Sequence, residues 1–276
     1  MSTRARSYNT EGVILRRRNI GEADSIFTVF SPREGKFDAV ARGVRKPKSH
    51  MRGHLEPLTR SRLHLAQGRS LDVFTQAETV AAYRAVRDDL DRLTLALYCC
   101  ELIDRFTVER QAQPQLYDLL NELLEGLDSL APLTIGRSFE LQILAHCGFE
   151  IQLSACAICG TRIPEGEALF SASAGGLVCD ACRPSAGSGR IISVRAIKVL
   201  RFARTATMGQ FAGLRLDEAL EAELQRTLAD AIRQVLDRET NSGRYVEALA
   251  VPLRATQRTS SGDVQSASPS SNLNGT

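Results

Sequence analysis

The chain of 276 residues is 43% hydrophobic and 24% charged, apolar enough to bury a core, and carries a formal net charge of +3 at pH 7. It has no apolar run near the roughly 18 residues of a membrane-crossing helix. Met1 to Asn9 holds Arg4 and Arg6 with no apolar block behind them, so a secretory signal is not expected and the cytoplasm is the expected compartment.

The charge is unevenly spread. Residues 1–80 contain 15 Lys and Arg against 8 Asp and Glu, which leaves the remainder net acidic. That asymmetry suits one segment that meets a polyanion, although a solvated basic face would look the same. In chain order, Gly12 to Arg16 reads as a strand, and Ser25-Ile26-Phe27-Thr28-Val29-Phe30 as a second, rich in β-branched and aromatic residues. The turn Ser31-Pro32-Arg33-Glu34-Gly35-Lys36 folds it onto a third strand, Phe37 to Ala41. Further strands are expected at Arg62–Ala66 and Leu71–Thr75. Five short strands with long basic connections fit a small barrel over residues 1–80, of either the oligonucleotide-binding (OB) or the SH3-like kind.

After Tyr83 the apolar period becomes helical. Leu90, Leu93, Leu97, Leu102 and Phe106 mark one helix, and Leu116, Leu119, Leu120, Leu123 and Leu127 a second. Pro132 precedes a third, with Thr134 placed to cap it and Phe139, Ile143 and Leu144 on its apolar face. Helical spacing returns at Ser193–Arg204 and at Leu216, Leu220, Leu224, Leu228 and Ile232, and Asn241-Ser242-Gly243 is placed to stop the last helix. The expected organisation is a helical domain in two parts, 81–150 and 191–253, around an insert at 151–190. Residues 254–276 are almost free of apolar side chains and read as a disordered tail.

The insert carries the strongest chemical signal. Cys156-Ala157-Ile158-Cys159 and Cys179-Asp180-Ala181-Cys182 are CxxC pairs separated by 19 residues, within the spacing of a four-cysteine zinc site. Two residues between thiolates let one turn present both to a tetrahedral ion, and Gly160 and Gly175-Gly176 leave room for backbone beside the sulfurs. Four thiolates fill the tetrahedron, so the expected zinc is one structural ion rather than a catalytic one. Cys99, Cys100 and Cys147 lie in apolar helical runs and read as buried small hydrophobes.

The basic connections are the candidate nucleic-acid contacts. Arg42, Arg45, Lys46, Lys48 and Arg52 crowd a Gly- and Pro-bearing stretch expected to be a flexible loop. Arg16, Arg17 and Arg18 end the first strand, and Arg33 and Lys36 sit in the hairpin turn. On a small barrel these ends can converge on one groove and neutralise phosphates with release of counterions. Tyr8, Phe27, Phe30, Phe37 and Phe74 are the only aromatics up to residue 80, and several must fill the core. Contact is therefore expected with backbone rather than by base stacking. A sequence-specific regulator would need an exposed recognition helix, and none stands out. A metal-dependent nuclease would need clustered carboxylates, and Asp88-Asp89 with Asp91 reads instead as the polar start of a helix.

These residues carry a resemblance to the bacterial recombination mediator family RecO. Gly12-Val13-Ile14-Leu15, Gly21-Glu22-Ala23-Asp24-Ser25, Arg33-Glu34-Gly35-Lys36, Ala41-Arg42-Gly43-Val44-Arg45-Lys46-Pro47-Lys48 and Leu55-Glu56-Pro57 are similar to successive blocks of that family. So is Phe139-Glu140-Leu141 through Gly148-Phe149-Glu150 into Cys156-Ala157-Ile158-Cys159-Gly160. The resemblance spans about Ser7 to Leu253. It implies a multidomain α+β chain, with an N-terminal OB-fold barrel, an α-helical domain and a zinc module inserted between its helices. It also implies a non-enzymatic, nucleoid-associated mediator of DNA repair. Such a protein binds single- and double-stranded DNA, anneals complementary strands and partners RecR in helping RecA displace the single-stranded DNA-binding protein. The family further docks the acidic C-terminal tail of that protein on its helical domain. Arg195, Lys198, Arg201 and Arg204 recur here beside Val199 and Phe202, but three-residue spacing drifts about 60° per step. They pair as neighbours rather than forming one stripe, and a solvated helix face remains the alternative.

Overall fold

From Ser7 to Ala81 the chain forms a sheet that closes on itself. The computed structural model describes residues 7–129 and 131–236. Five strands, β1 (Ser7–Ile20), β2 (Asp24–Ser31), β3 (Gly35–Ala41), β4 (Arg60–Ala66) and β5 (Asp72–Ala81), form a closed barrel in the order β1-β2-β3-β5-β4. All neighbours are antiparallel except β3 and β5, which run parallel through Ala39–Asp72 and Val40–Val73. Closure of β1 on both β2 and β4 is the OB arrangement, and it removes the unpaired edges an open sheet would expose. Phe27, Phe37, Leu63, Leu65 and Phe74 fill the interior together with Val44, which the loop after β3 sends inward. β1 and β5 are longer than the sequence reading, and the second half of β5 alternates between half-buried and exposed residues.

The helical part comprises α1 (Arg84–Asp88), α2 (Leu90–Phe106), α3 (Pro114–Asp128), α4 (Ile135–His146), α5 (Val194–Ala203), α6 (Met208–Ala212) and α7 (Glu218–Leu236). Asp89 caps α2 by accepting from the backbone N–H groups of Asp91 and Arg92, so the acidic run is indeed a helix start. Leu90 and Leu97 face outward, and Leu95, Tyr98, Cys99, Leu102 and Ile103 supply the buried face. Thr134 precedes α4 but its hydroxyl caps nothing. Its backbone is already helical at φ −55° and ψ −22°, whereas a capping side chain needs an extended residue. The short α6 was not anticipated, although Thr207 and Gln210 form a reciprocal capping box there. The expected stop at Asn241-Ser242-Gly243 and the tail 254–276 lie outside the described residues.

Between α4 and α5 the insert forms a three-stranded sheet, β7-β6-β8, from β6 (Ala168–Ser171), β7 (Gly176–Val178) and β8 (Arg190–Ile192). It shares one core with the helices: Ile151, Leu153, Phe170, Leu177 and Ile192 are buried in the same cluster as α2 to α7. Barrel and helices are equally fused. Phe30 meets Tyr117 at 6.1 Å between ring centroids, Arg60 reaches Glu125 at 2.9 Å, and Arg87 donates to the Pro57 carbonyl and the Thr59 hydroxyl. The α2–α3 connection lies along the β2–β3 turn. There the Arg110 N–H donates to the Lys36 carbonyl at 2.7 Å, and a Cβ on Gly35 would stand 2.0 Å from the Gln111 carbonyl oxygen.

Candidate nucleic-acid interface and metal centre

The loop from Arg42 to Arg52 is held at its base rather than free. Val44 is fully buried, the Gly43 N–H donates to the Asp24 carboxylate at 2.7 Å, and the Arg45 N–H donates to the Ala23 carbonyl at 2.9 Å. The Arg45 guanidinium also reaches the Gly21 carbonyl at 3.1 Å. Gly43 takes φ +66°, which lets the chain turn tightly off β3. Arg42, Arg45, Lys46, Lys48 and Arg52 all remain exposed. Where the sequence reading expected a flexible loop, these contacts fix its base, Gly43 to Arg45, beside the β1–β2 turn.

The other basic residues divide. Period-2 alternation in β1 exposes Arg16 and Arg18 and turns Arg17 inward, because the strand runs on to Ile20 instead of ending at the arginines. Arg17 bonds Asn19 and Ser25 and lies 3.5 Å from Glu56. Arg16 and Lys36 converge on Asp104 of α2 at 3.0 and 3.1 Å, and Lys36, only 16% exposed, joins barrel to helix. Arg33 is exposed at the β2–β3 turn. The eight residues of β2 separate that turn from the β1–β2 turn by more than about 20 Å. Arg33 thus lies at the far end of the meander from the Gly43–Arg45 anchor, yet His50 and Met51, later in the same basic loop, line one groove with it. Phe27, Phe30, Phe37 and Phe74 are buried, and the Tyr8 hydroxyl donates to Asp72 at 2.6 Å. None of the five aromatics offers an exposed stacking platform.

Sequence reasoning missed Arg110, which has an exceptional backbone for a side-chain-bearing residue (φ +58°). It pairs with Asp72 and stacks over Phe37 at 4.6 Å, clamping the connection onto the barrel. Burial alone would raise the Asp72 carboxyl, but the hydrogen bonds from Tyr8 and Arg110 outweigh it and hold the group below its ordinary value. The reading also missed a groove of about 900 Å³ across β1, β4 and β5. Its one sequence signal was the clustering of His50, His54 and His64, three of the four histidines, within 15 residues.

The four insert cysteines meet as their spacing requires. Their sulfurs lie within 4.8 Å of one another, and Cys159 Sγ stands 3.7 Å from Cys179 Sγ. A tetrahedron of thiolates about 2.3 Å from a central zinc has edges of about 3.8 Å, so the set fits that ion and is far too open for a disulfide. Gly160, at φ +75°, closes the first knuckle by donating to the Cys156 carbonyl at 2.9 Å. Gly176 serves a different end from the one expected. A Cβ there would stand 2.2 Å from the Gln152 carbonyl oxygen, so it admits the neighbouring backbone rather than a sulfur. Backbone N–H groups of Cys159 and Cys179 aimed at Cys156 bring its thiol down to about 6. Cys182 is pushed up to about 12 because its thiol is hydrogen-bonded to Cys159 and Cys179, and a bound dication would take the place of that proton. Cys99 and Cys100 are buried, as expected, and Cys147 partly so.

On α5, Arg195 pairs with Asp217 at 2.6 Å, Arg204 pairs with Glu150 at 2.8 Å, and Arg201 donates to the Leu153 carbonyl at 2.9 Å. Lys198 and Phe202 are exposed. The four residues are thus not a common cationic surface, since three are engaged with different neighbours.

Comparison with known proteins adds the family. The model "Recombination protein O N terminal" matches residues 1–83, and "Recombination protein O C terminal" matches residues 87–244. The chain belongs to the RecO family. The DNA repair protein RecO of Dehalococcoides mccartyi (strain CBDB1) is 32% identical over 248 residues, which cover 90% of this chain and 98% of the relative. That of Roseiflexus sp. (strain RS-1) is 34% identical over 263 residues, 94% and 92% of the two chains. That of Symbiobacterium thermophilum is 33% identical over 246 residues, 88% and 97%. It is a DNA repair and recombination protein of that family, with a four-cysteine centre able to hold a metal ion. Among the described residues no helix is long and apolar enough to cross a membrane.

Proposed function

We propose that this chain is a non-enzymatic recombination mediator that binds single- and double-stranded DNA through phosphate and anneals complementary strands. With RecR it assists RecA in displacing the single-stranded DNA-binding protein. The observation that carries this reading is the anchored loop. Exposed Arg42, Arg45, Lys46, Lys48 and Arg52 stand on a base pinned by Val44, Gly43 and the Arg45 backbone. Cations on a rigid support bind phosphate without first losing the entropy of a mobile loop. Arg18 extends the same platform from β1. Two strands held there would have their mutual repulsion screened, and pairing needs no bond made or broken. The four cysteines hold one zinc ion in this reading, as a brace for the helical core, and the work is done on cytoplasmic, nucleoid DNA.

The test is strand annealing on DNA coated with single-stranded DNA-binding protein, with and without RecR. Charge reversal at Arg45, Lys46 and Lys48 together is expected to abolish annealing and to flatten the dependence of affinity on salt. Lys36→Gln is the internal contrast: with its ammonium committed to Asp104, it should lower stability and spare annealing. Unchanged annealing by the triple variant would remove the loop from the site. For the acidic tail of the single-stranded DNA-binding protein, α5 is the proposed dock. Lys198 and Phe202 are its available contacts, since Arg195, Arg201 and Arg204 must first leave other partners.

A further inference from the structure

A hollow of about 670 Å³ lies where β1 and β3 of the barrel meet α2, and the last residue of α7 lines it too. Leu15, Leu97, Cys100 and Leu236 make its lining partly apolar, and charged side chains stand among them. Those charges answer one another. Arg16 and Lys36 share Asp104 at 3.0 and 3.1 Å, and Arg105 lies 2.9 Å from Glu101. An ionic ligand would have to break pairs already made, so the chemistry left unmet is apolar. Leu97 is exposed on the outward face of α2, and Leu90, exposed as well, repeats it two turns earlier. Such a surface fits a segment that brings hydrophobic side chains.

The chain itself holds one. Val235 and Leu236, which end α7, pack against the helical core, and Leu236 delivers the backbone into the hollow. Residues 237–276 follow, outside the described residues. Asp237 to Arg244 has no apolar side chain and contains the turn signal Asn241-Ser242-Gly243. Tyr245-Val246-Glu247-Ala248-Leu249-Ala250-Val251-Pro252-Leu253 is then apolar at every position but Glu247, a block that gains by leaving water. The polar link before it spans at most about 26–29 Å, which keeps the block near Leu236. On so short a tether it meets the hollow at an effective concentration on the order of millimolar, above that of a free partner. Charge agrees with this seat. Glu247 is the one charge of the block, and Arg16, 55% exposed beside Asp104, has an open side to receive it.

We infer that the hollow is the seat of the chain's own segment 245–253, which folds back from α7 to lie against Leu97 and to pair Glu247 with Arg16. So seated, the segment is a strap that ties β1 of the barrel to α2 and α7. It also covers Arg16, a cation that the sequence reading placed among the DNA contacts.

The experiment is amide hydrogen exchange of the full chain, followed by mass spectrometry. Peptides from 245–253 are expected to exchange at least about tenfold more slowly than peptides from 262–276. Leu97→Asp should bring the two to one rate and leave β2 and α4 unchanged, because Leu97 is exposed rather than part of the core. Arg16→Glu should loosen the segment partway, and adding Glu247→Arg should restore it. Protection unaltered in both Leu97→Asp and Arg16→Glu would seat the segment elsewhere and overturn the inference. So would exchange of 245–253 as fast as that of 262–276 in the intact chain. Protection that fades on about a hundredfold dilution would assign the hollow to a second copy, and that too overturns it. If Leu97→Asp speeds exchange in β2 as well, the fold has been lost and the charge swap decides: failure of Glu247→Arg to restore protection sinks the strap.

Discussion

Asp72 shows how one carboxylate can join the barrel to the helical part. It sits on β5, accepts from Tyr8 of β1 at 2.6 Å, and pairs with Arg110 of the α2–α3 connection. Its carboxyl is held below the ordinary value of 3.8, since those bonds outweigh the effect of burial. A carboxylate depressed in the folded state adds stability that is fully present above 3.8 and is lost as pH falls through the folded value. Asp72→Asn is therefore expected to cost roughly 1–3 kcal/mol at pH 7 in urea denaturation. That difference should shrink as the pH is lowered below 3.8; a constant difference down to pH 2 would show that the charge is not what matters. At this scale the cysteines and the loop cations were legible, because spacing and charge density are written directly in the chain. The fates of Arg17 and Lys36 were not. Which of two neighbouring arginines turns inward depends on where a strand ends, and the partner of Lys36 is Asp104, 68 residues away.

At the scale of elements, the four-cysteine module shares its core with the helices instead of forming a separate lobe. Ile151, Leu153, Leu177 and Ile192 pack in the cluster that holds α4 and α5, and Arg190 of β8 pairs with Asp230 of α7. Loss of metal should accordingly be felt beyond the knuckles. Cys159→Ser is expected to abolish the one equivalent of zinc read by atomic absorption and to lower unfolding free energy by several kcal/mol, on the order of a third of what structural zinc contributes to small fingers. Thermal melting followed by far-UV circular dichroism checks it, and a wild-type melting temperature with no bound metal would refute the bracing role. The capping box of α6, Thr207 with Gln210, was visible in the sequence as a Thr-x-x-Gln pattern and was passed over. The second half of β5 was harder to see. Gln76, Glu78 and Val80 are exposed, so β5 lacks the continuous apolar signal that marks a strand, and it is held by pairing with β4.

For the whole molecule, the docking of the barrel on the helices turns on Gly35. A Cβ there would collide with the Gln111 backbone, and φ is +65°. Gly35→Ala should destabilise the chain by about 2–4 kcal/mol and increase proteolysis within the α2–α3 connection, which limited trypsin digestion followed by mass spectrometry will locate. Cleavage unchanged from the intact chain would show that this contact does not hold the two parts together.

The amino-acid sequence by itself determined the four-cysteine cluster, the basic segment as a place of high positive charge, the change from strand to helix after Tyr83, and the family. Each is a local pattern: ligand spacing, charge density, period, or blocks in order. The strand pattern alone left OB and SH3-like closure open; the resemblance implied OB, and the tertiary structure shows it in which strands pair, β1 with β4 and β3 with β5. The tertiary structure also decided which cations stay available. A strand of eight residues carries its two turns to opposite ends, and a basic residue becomes available or committed according to the carboxylate that folding brings beside it.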